Sequence, residues 1–234
     1  RRLCGAARTL SAGKVPLIVG CGSADTKAAC ALTADAVACG ADALLVITPY
    51  CNKGTADGIV EHYRRVADAA CGRPVILYNI PSRTGVDLTE AQYAALAEVP
   101  NIRAVKEASG NMAKLTRLCA DGKFTVYSGC DDQILPIAAL GGRGVVSVLS
   151  NIAPAAVSAM AHAAVDGDLD TARHLAHKYA RLISLLFAET NPAPLKYALE
   201  LLGLSRGEVR LPLAEVRADT QAALREELTA LGML

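Results

Sequence analysis

The chain alternates short, almost wholly apolar runs with Ala-rich stretches whose apolar positions recur at helical spacing. Six runs stand out, at 15–21, 43–48, 74–79, 102–107, 124–128 and 144–148. Apolar residues occupy successive rather than alternate positions in them, which predicts strands covered on both faces, as in parallel sheets. The stretches between predict helices over 25–39, 54–70, 89–98, 111–120, 131–140 and 154–165, several opening after a Ser, Thr, Asp or Asn cap. Six consecutive βα units follow. Beyond the sixth run the pattern is helical only, over 168–188, 192–202 and 212–231, and reads as a C-terminal helical appendix. Glycines collect at the joins, as at Gly20, Gly22, Gly110, Gly129, Gly141, Gly142 and Gly144, where turns are tight or backbones approach closely.

A six-stranded parallel sheet can be open and doubly wound or belong to a barrel. In both, ligands meet the carboxyl ends of the strands. Those ends read Gly20-Cys21-Gly22, Thr48-Pro49-Tyr50, Tyr78-Asn79, Lys106-Glu107, Ser128-Gly129 and Ser147, so polar side chains recur there unit after unit. No Gly-x-Gly-x-x-Gly follows the opening strand and no Gly-Lys-Ser/Thr occurs, which leaves nucleotide binding as a weak alternative.

Composition narrows the partners. With 24 Lys and Arg against 23 Asp and Glu, the net charge of +1 creates no long-range field toward nucleic acid or anionic membrane. The 234 residues are 52% hydrophobic but only 4% aromatic, without Trp, so the core is built from Ala, Leu, Val and Ile. The eight cysteines show no metal-knuckle or redox spacing and read as reduced thiols, mostly small apolar fillers. No apolar run approaches the ~18 residues of a transmembrane span, and no signal-peptide pattern opens the sequence. A soluble chain, cytoplasmic in location, is expected.

Lys106 closes an apolar run containing Ile102, Ala104 and Val105 and is followed by Glu107. Burial there disfavours the ammonium and leaves an amine able to attack a ketone and form an imine. The bland reading is a lysine that reaches solvent or pairs with Glu107. Tyr78 ends the preceding strand, where a phenol beside an imine can relay protons; packing is its plainer reading. Arg83, in the loop after that strand, can hold a carboxylate bidentately or form a surface ion pair.

These motifs have a known counterpart. Thr48-Pro49-Tyr50, the run from Tyr78 to Gly85, Lys106-Glu107-Ala108-Ser109-Gly110-Asn111, Ser128-Gly129 and the run from Gly141 to Val148 resemble the pyruvate-dependent class I aldolase family that contains dihydrodipicolinate synthase and N-acetylneuraminate lyase. Order and spacing match, and Asn191-Pro192-Ala193-Pro194-Leu195-Lys196 extends the likeness into the helical tail. Ser82-Arg83-Thr84-Gly85 points to the synthase branch, since the lyases usually lack that arginine. The resemblance implies a TIM (β/α)8 barrel, with barrel units three to eight over 1–166 and a helical extension over 167–234. It implies an imine between Lys106 and pyruvate, proton relay through Tyr78, backbone contact to pyruvate from Val146, and Arg83 on the carboxylate of aspartate semialdehyde. No metal or organic cofactor is implied, and the expected assembly is a homodimer or homotetramer. The alternatives are another pyruvate-dependent aldolase of the family, acting on a sugar acid or 4-hydroxy-2-oxo acid, and a non-catalytic homologue.

Three departures qualify these expectations. The first two barrel units and the Gly-Thr-Thr-Gly-Glu loop that binds the pyruvate carboxylate have no match here; residues 1–12 resemble the later part of the helix after that loop. Either the sequence is a piece of a longer one or it belongs to a shortened homologue, and low synthase activity is expected of these 234 residues alone. Cys51 replaces a tyrosine that reaches across a subunit interface into the relay. Ala24 and Ala28 stand where lysine-inhibited synthases carry Asn and Glu, so inhibition by lysine at that site is not expected.

Overall fold

A computed structural model describes residues 1–234, which divide into two compact units, Arg1–Gly129 with Leu140–Gly142 and Cys130–Ala139 with Arg143–Leu234. The first unit holds, in order, α1 (Arg2–Ser11), β1 (Ile18–Gly20), α2 (Thr26–Ala38), β2 (Ala43–Ile47), α3 (Ala56–Ala69), β3 (Val75–Asn79), α4 (Pro81–Thr84), α5 (Glu90–Ala97), β4 (Ile102–Glu107), α6 (Met112–Asp121) and β5 (Thr125–Ser128). The strands form one sheet in chain order with every neighbouring pair parallel. The helix starts are those the sequence marks. Asp25 accepts from Ala28 N, Thr55 from Gly58 N and Asn111 from Lys114 N, while Thr89 and Gln92 form a reciprocal capping box. Each such cap contributes about 1 kcal/mol.

Leu44, Val46, Val75, Leu77 and Val105 are fully buried on the sheet, as are Tyr63, Leu96 and Leu115 on α3, α5 and α6. Tyr63 also donates its hydroxyl to Val46 O at 3.2 Å, fixing α3 to β2. Burial pushes that phenol far above its ordinary range, so it remains a donor. α1 is held to α2 and the turn after it by ion pairs Arg1–Asp35 and Arg8–Asp42. Asp42 also accepts from Leu17 N at 2.7 Å.

The sixth predicted strand, 144–148, is not a strand; it carries a single isolated bridge at Val145. Gly144 has φ 150°, Val148 is helical, and the N–H groups of Val148 and Leu149 donate to Asp131 Oδ2 at 2.9 and 3.1 Å. A side-chain carboxylate takes the donors a sheet ladder would use. The second unit is otherwise helical: α7 (Ile134–Ala139), α8 (Pro154–Asp166), α9 (Leu169–Leu186), α10 (Ala193–Leu201) and α11 (Ala218–Ala230). Met160, Leu182, Leu186, Leu224 and Leu228 form the centre of its apolar core. α11 begins later than the predicted 212, since Arg217 N donates to Glu189 Oε1 and the segment before it turns at Leu213 N→Arg210 O.

The cysteines are free thiols. Cys21 fits the reading as a buried filler, and burial raises its thiol to about 11. Cys51 and Cys71 do not fit it: both are exposed, with left-handed backbone at φ 74° and 49°. They occupy turn positions, which the apolar character of cysteine does not reveal.

Candidate active site

The site grows from the register of β2 to β5. Tyr78 on β3 pairs with Lys106 on β4, which pairs with Tyr127 on β5; Ile47 stands beside Tyr78 on β2. Partners in a parallel ladder share a face, so these four side chains form a row across the sheet at its carboxyl end. Lys106 is 9% exposed and its Nζ lies 3.8 Å from the centroid of the half-buried Tyr78 ring. An ammonium over a phenol face gains cation–π attraction that offsets part of its desolvation. Both residues are legible at strand ends in the sequence, whereas Tyr127 is set beside Lys106 only by the ladder register.

The next residues face the other way. Glu107 is fully buried. Its carboxylate accepts from Asn79 Nδ2 at 3.1 and 3.0 Å, from Tyr93 OH at 2.8 Å and from Ser109 N at 2.8 Å. Burial, and next the Glu107 charge, push the Tyr93 phenol well above its ordinary 10.0 and keep it a donor. Asn79 also donates to Asp87 Oδ1 at 2.8 Å and accepts from Leu88 N at 3.1 Å, while Lys114 pairs with Asp87 and donates to Leu88 O at 3.0 Å. The set from β3, β4, α5 and α6 satisfies its buried polar groups mutually.

Arg83 lies on the single turn α4, exposed, with Arg83 N bonded to Ile80 O at 3.0 Å. The turn ends at Gly85, whose φ of 71° suits a residue without Cβ. Thr84 anchors it: Thr48 donates its hydroxyl to Thr84 Oγ1 at 3.1 Å, and Cys51 N donates to Thr84 O at 3.3 Å. Thr48-Pro49-Tyr50-Cys51 and the Arg83 turn are thereby joined. Val146 belongs to the second unit, half-buried between α7 and the turn Leu149–Asn151 whose N-terminus Asp131 caps. Ala24 and Ala28 flank the Asp25 cap of α2.

Two glycines let backbones close over the carboxyl ends. A Cβ on Gly22 would lie 2.4 Å from Ile47 Cγ2 and 2.7 Å from Ile47 N, and one on Gly129 2.5 Å from Ala108 Cβ.

Fold and row together define a class: an α/β protein with a parallel sheet whose strand ends carry a buried lysine against a tyrosine. Comparison with known proteins makes this specific. The model of the dihydrodipicolinate synthetase family matches residues 1–231. The chain is 45% identical over 223 residues to the 4-hydroxy-tetrahydrodipicolinate synthase of Methanothrix thermoacetophila, covering 94% of this chain and 75% of the relative. It is 44% identical over 223 residues to that of Methanocaldococcus jannaschii, covering 95% and 77%. Among solved structures, the dihydrodipicolinate synthase of Aquifex aeolicus superimposes with a TM-score of 0.96 at 39% identity, over 99% of this chain and 80% of that one. The chloride-inhibited synthase of Acinetobacter baumannii, complexed with pyruvate, gives 0.96 at 39%, over 100% and 80%. The chain belongs to the dihydrodipicolinate synthetase family, a family of class I aldolase-type lyases, and its parallel sheet and helices match the TIM barrel of those synthases.

Proposed function

We propose that this chain condenses pyruvate with L-aspartate semialdehyde to 4-hydroxy-tetrahydrodipicolinate, a step of lysine and diaminopimelate synthesis, through an imine on Lys106. The observation that carries the reading is the Lys106 amine 3.8 Å over the Tyr78 ring at paired strand ends. The Lys106 amine adds to the pyruvate ketone and water leaves, giving a protonated imine; this electron sink lets the methyl carbon lose a proton. The resulting enamine forms the new carbon–carbon bond to the aldehyde, whose oxygen takes up a proton. The amino group of the second substrate then displaces Lys106 from the imine carbon, closing the ring and restoring the free amine. Tyr78 serves as the proton carrier beside Lys106, Arg83 holds the carboxylate of the semialdehyde, and a backbone contact from Val146 holds pyruvate. The imine on Lys106 is itself the electron sink, and the step uses no organic cofactor.

In the same reading, residues 1–166 correspond to barrel units three to eight and 167–234 to a C-terminal helical extension. The protein works in the cytoplasm as a homodimer or homotetramer. With Cys51 in place of a second phenol, and no Gly-Thr-Thr-Gly-Glu stretch in these 234 residues, their own turnover is slow. The deciding experiment compares turnover of pyruvate plus aspartate semialdehyde with cleavage of sugar acids and 4-hydroxy-2-oxo acids. Condensation at least about tenfold faster supports the proposal, and faster cleavage overturns it in favour of a pyruvate-releasing aldolase.

A further inference from the structure

We infer that Asn79 and Glu107 are positioning residues that hold Tyr78 against Lys106 from the opposite face of the sheet; this rests on the proposed imine chemistry of Lys106. Tyr78↔Lys106 and Asn79↔Glu107 are consecutive pairs of one ladder. On one face the Lys106 amine lies over the Tyr78 ring. On the other, Asn79 Nδ2 bridges both oxygens of Glu107 at 3.1 and 3.0 Å, joining the two strands directly across their last rung. Both residues are 0% exposed, so water cannot substitute for a lost partner.

Every other side-chain bond of the pair fixes it to a segment outside these two strands. Tyr93 on α5 donates to Glu107 and Ser109 N closes the loop after β4 onto it, while Asp87 and Leu88 N hold both ends of the Asn79 amide. Lys114 on α6 neutralises Asp87. The chemistry of each position is specific. Asn79 must donate toward two carboxylates and accept from a backbone N–H, which only a carboxamide of that length does; Glu107 meets donors only, which suits a carboxylate. A Gln at 107 turns an NH2 toward the NH2 of Asn79 or toward Tyr93 and Ser109, so the rung opens on one side. The backbone of Tyr78 and Lys106, one residue back on each strand, then loses its fixed separation.

The test measures pyruvate trapping on Lys106 by borohydride, as a rate against pyruvate concentration, for the chain and for Glu107→Gln, Tyr78→Phe and the double variant, with circular dichroism and thermal melts on each. Positioning predicts that Glu107→Gln keeps the wild-type spectrum, lowers the maximal trapping rate about tenfold and leaves the half-saturating pyruvate concentration unchanged. In the Tyr78→Phe background the same change then costs under about twofold, because the hydroxyl that it positions is already gone. Equal trapping by Glu107→Gln and wild type overturns the inference, as does a full tenfold loss persisting in the Tyr78→Phe background. Absence of any adduct on the wild-type chain refutes instead the imine on Lys106. Should Glu107→Gln not fold, Tyr93→Phe, which removes a single donor to Glu107, replaces it: a roughly threefold slower trapping by protein that stays folded at the assay temperature supports positioning, and wild-type trapping overturns it.

Discussion

Gly129→Ala is the smallest change that moves the site without touching a reacting group. The new Cβ would stand 2.5 Å from Ala108 Cβ, 3.2 Å from Ala108 Cα and 3.1 Å from the carbonyl oxygen of Glu107. Non-bonded carbons settle at about 3.5–4.0 Å, so the ends of β4 and β5 must part by roughly 1 Å. The Gly129 N–H, which donates to Glu107 O at 2.8 Å, is stretched by the same movement. A lost hydrogen bond of about 1 kcal/mol and overpacking of about 1–3 kcal/mol sum to roughly 2–4 kcal/mol, which lowers a urea midpoint by about 1 M. Because Lys106 lies one residue before Glu107, a displacement of about 1 Å slows imine formation by about a hundredfold. Borohydride trapping with pyruvate and urea unfolding read both effects. Gly122→Ala is the control: it also forces an unfavourable backbone, at φ 63°, but its Cβ meets nothing within 4 Å. It costs about 1–2 kcal/mol and leaves trapping unchanged. Wild-type trapping by a folded Gly129→Ala protein would refute the claim that this close approach sets the position of Lys106.

Three further outcomes follow from buried groups. Burial lowers the His62 pKa from 6.5, opposed by Asp25, while Nδ1 shares a 3.0 Å bond with Thr26; its contribution to stability is complete above pH 6.5 and declines as pH falls below it. Thermal melts at pH 7.5 and 5.5 should show a lower midpoint in acid, and His62→Gln should reduce the difference; an unreduced difference removes His62 as its source. With its thiol raised to about 11, buried Cys21 resists iodoacetamide at pH 8 in the native protein, whereas exposed Cys51 and Cys71 react; mass mapping that finds Cys21 labelled as fast as Cys51 contradicts this. Asp131→Ala leaves two backbone donors of Val148 and Leu149 without their acceptor and should destabilise by about 1–3 kcal/mol in urea, an effect of zero showing that the cap beyond Val146 is dispensable.

Much of this was legible from the chain because the information is local. Five strands and their helices follow from doubly buried apolar runs and from caps such as Asp25, Thr55 and Thr89, each acting within four residues. The run 144–148 misleads because a short apolar segment does not say where its backbone donors go, and Asp131, distant in sequence, captures them. Lys106 and Tyr78 stand out at strand ends for the same local reason. The partners of Glu107 on Asn79 and Tyr93 depend on cross-strand register and helix placement that spacing does not encode. The place of Tyr127 beside Lys106 depends on the same register.

The central claim, that Lys106 is the electrophile-capturing amine, is tested most directly by incubating the protein with pyruvate, reducing with borohydride and mapping the adduct by peptide mass spectrometry. A reduced pyruvate adduct is expected on Lys106 and is absent from folded Lys106→Arg. An adduct on another lysine, or none on the folded wild-type protein, would contradict it.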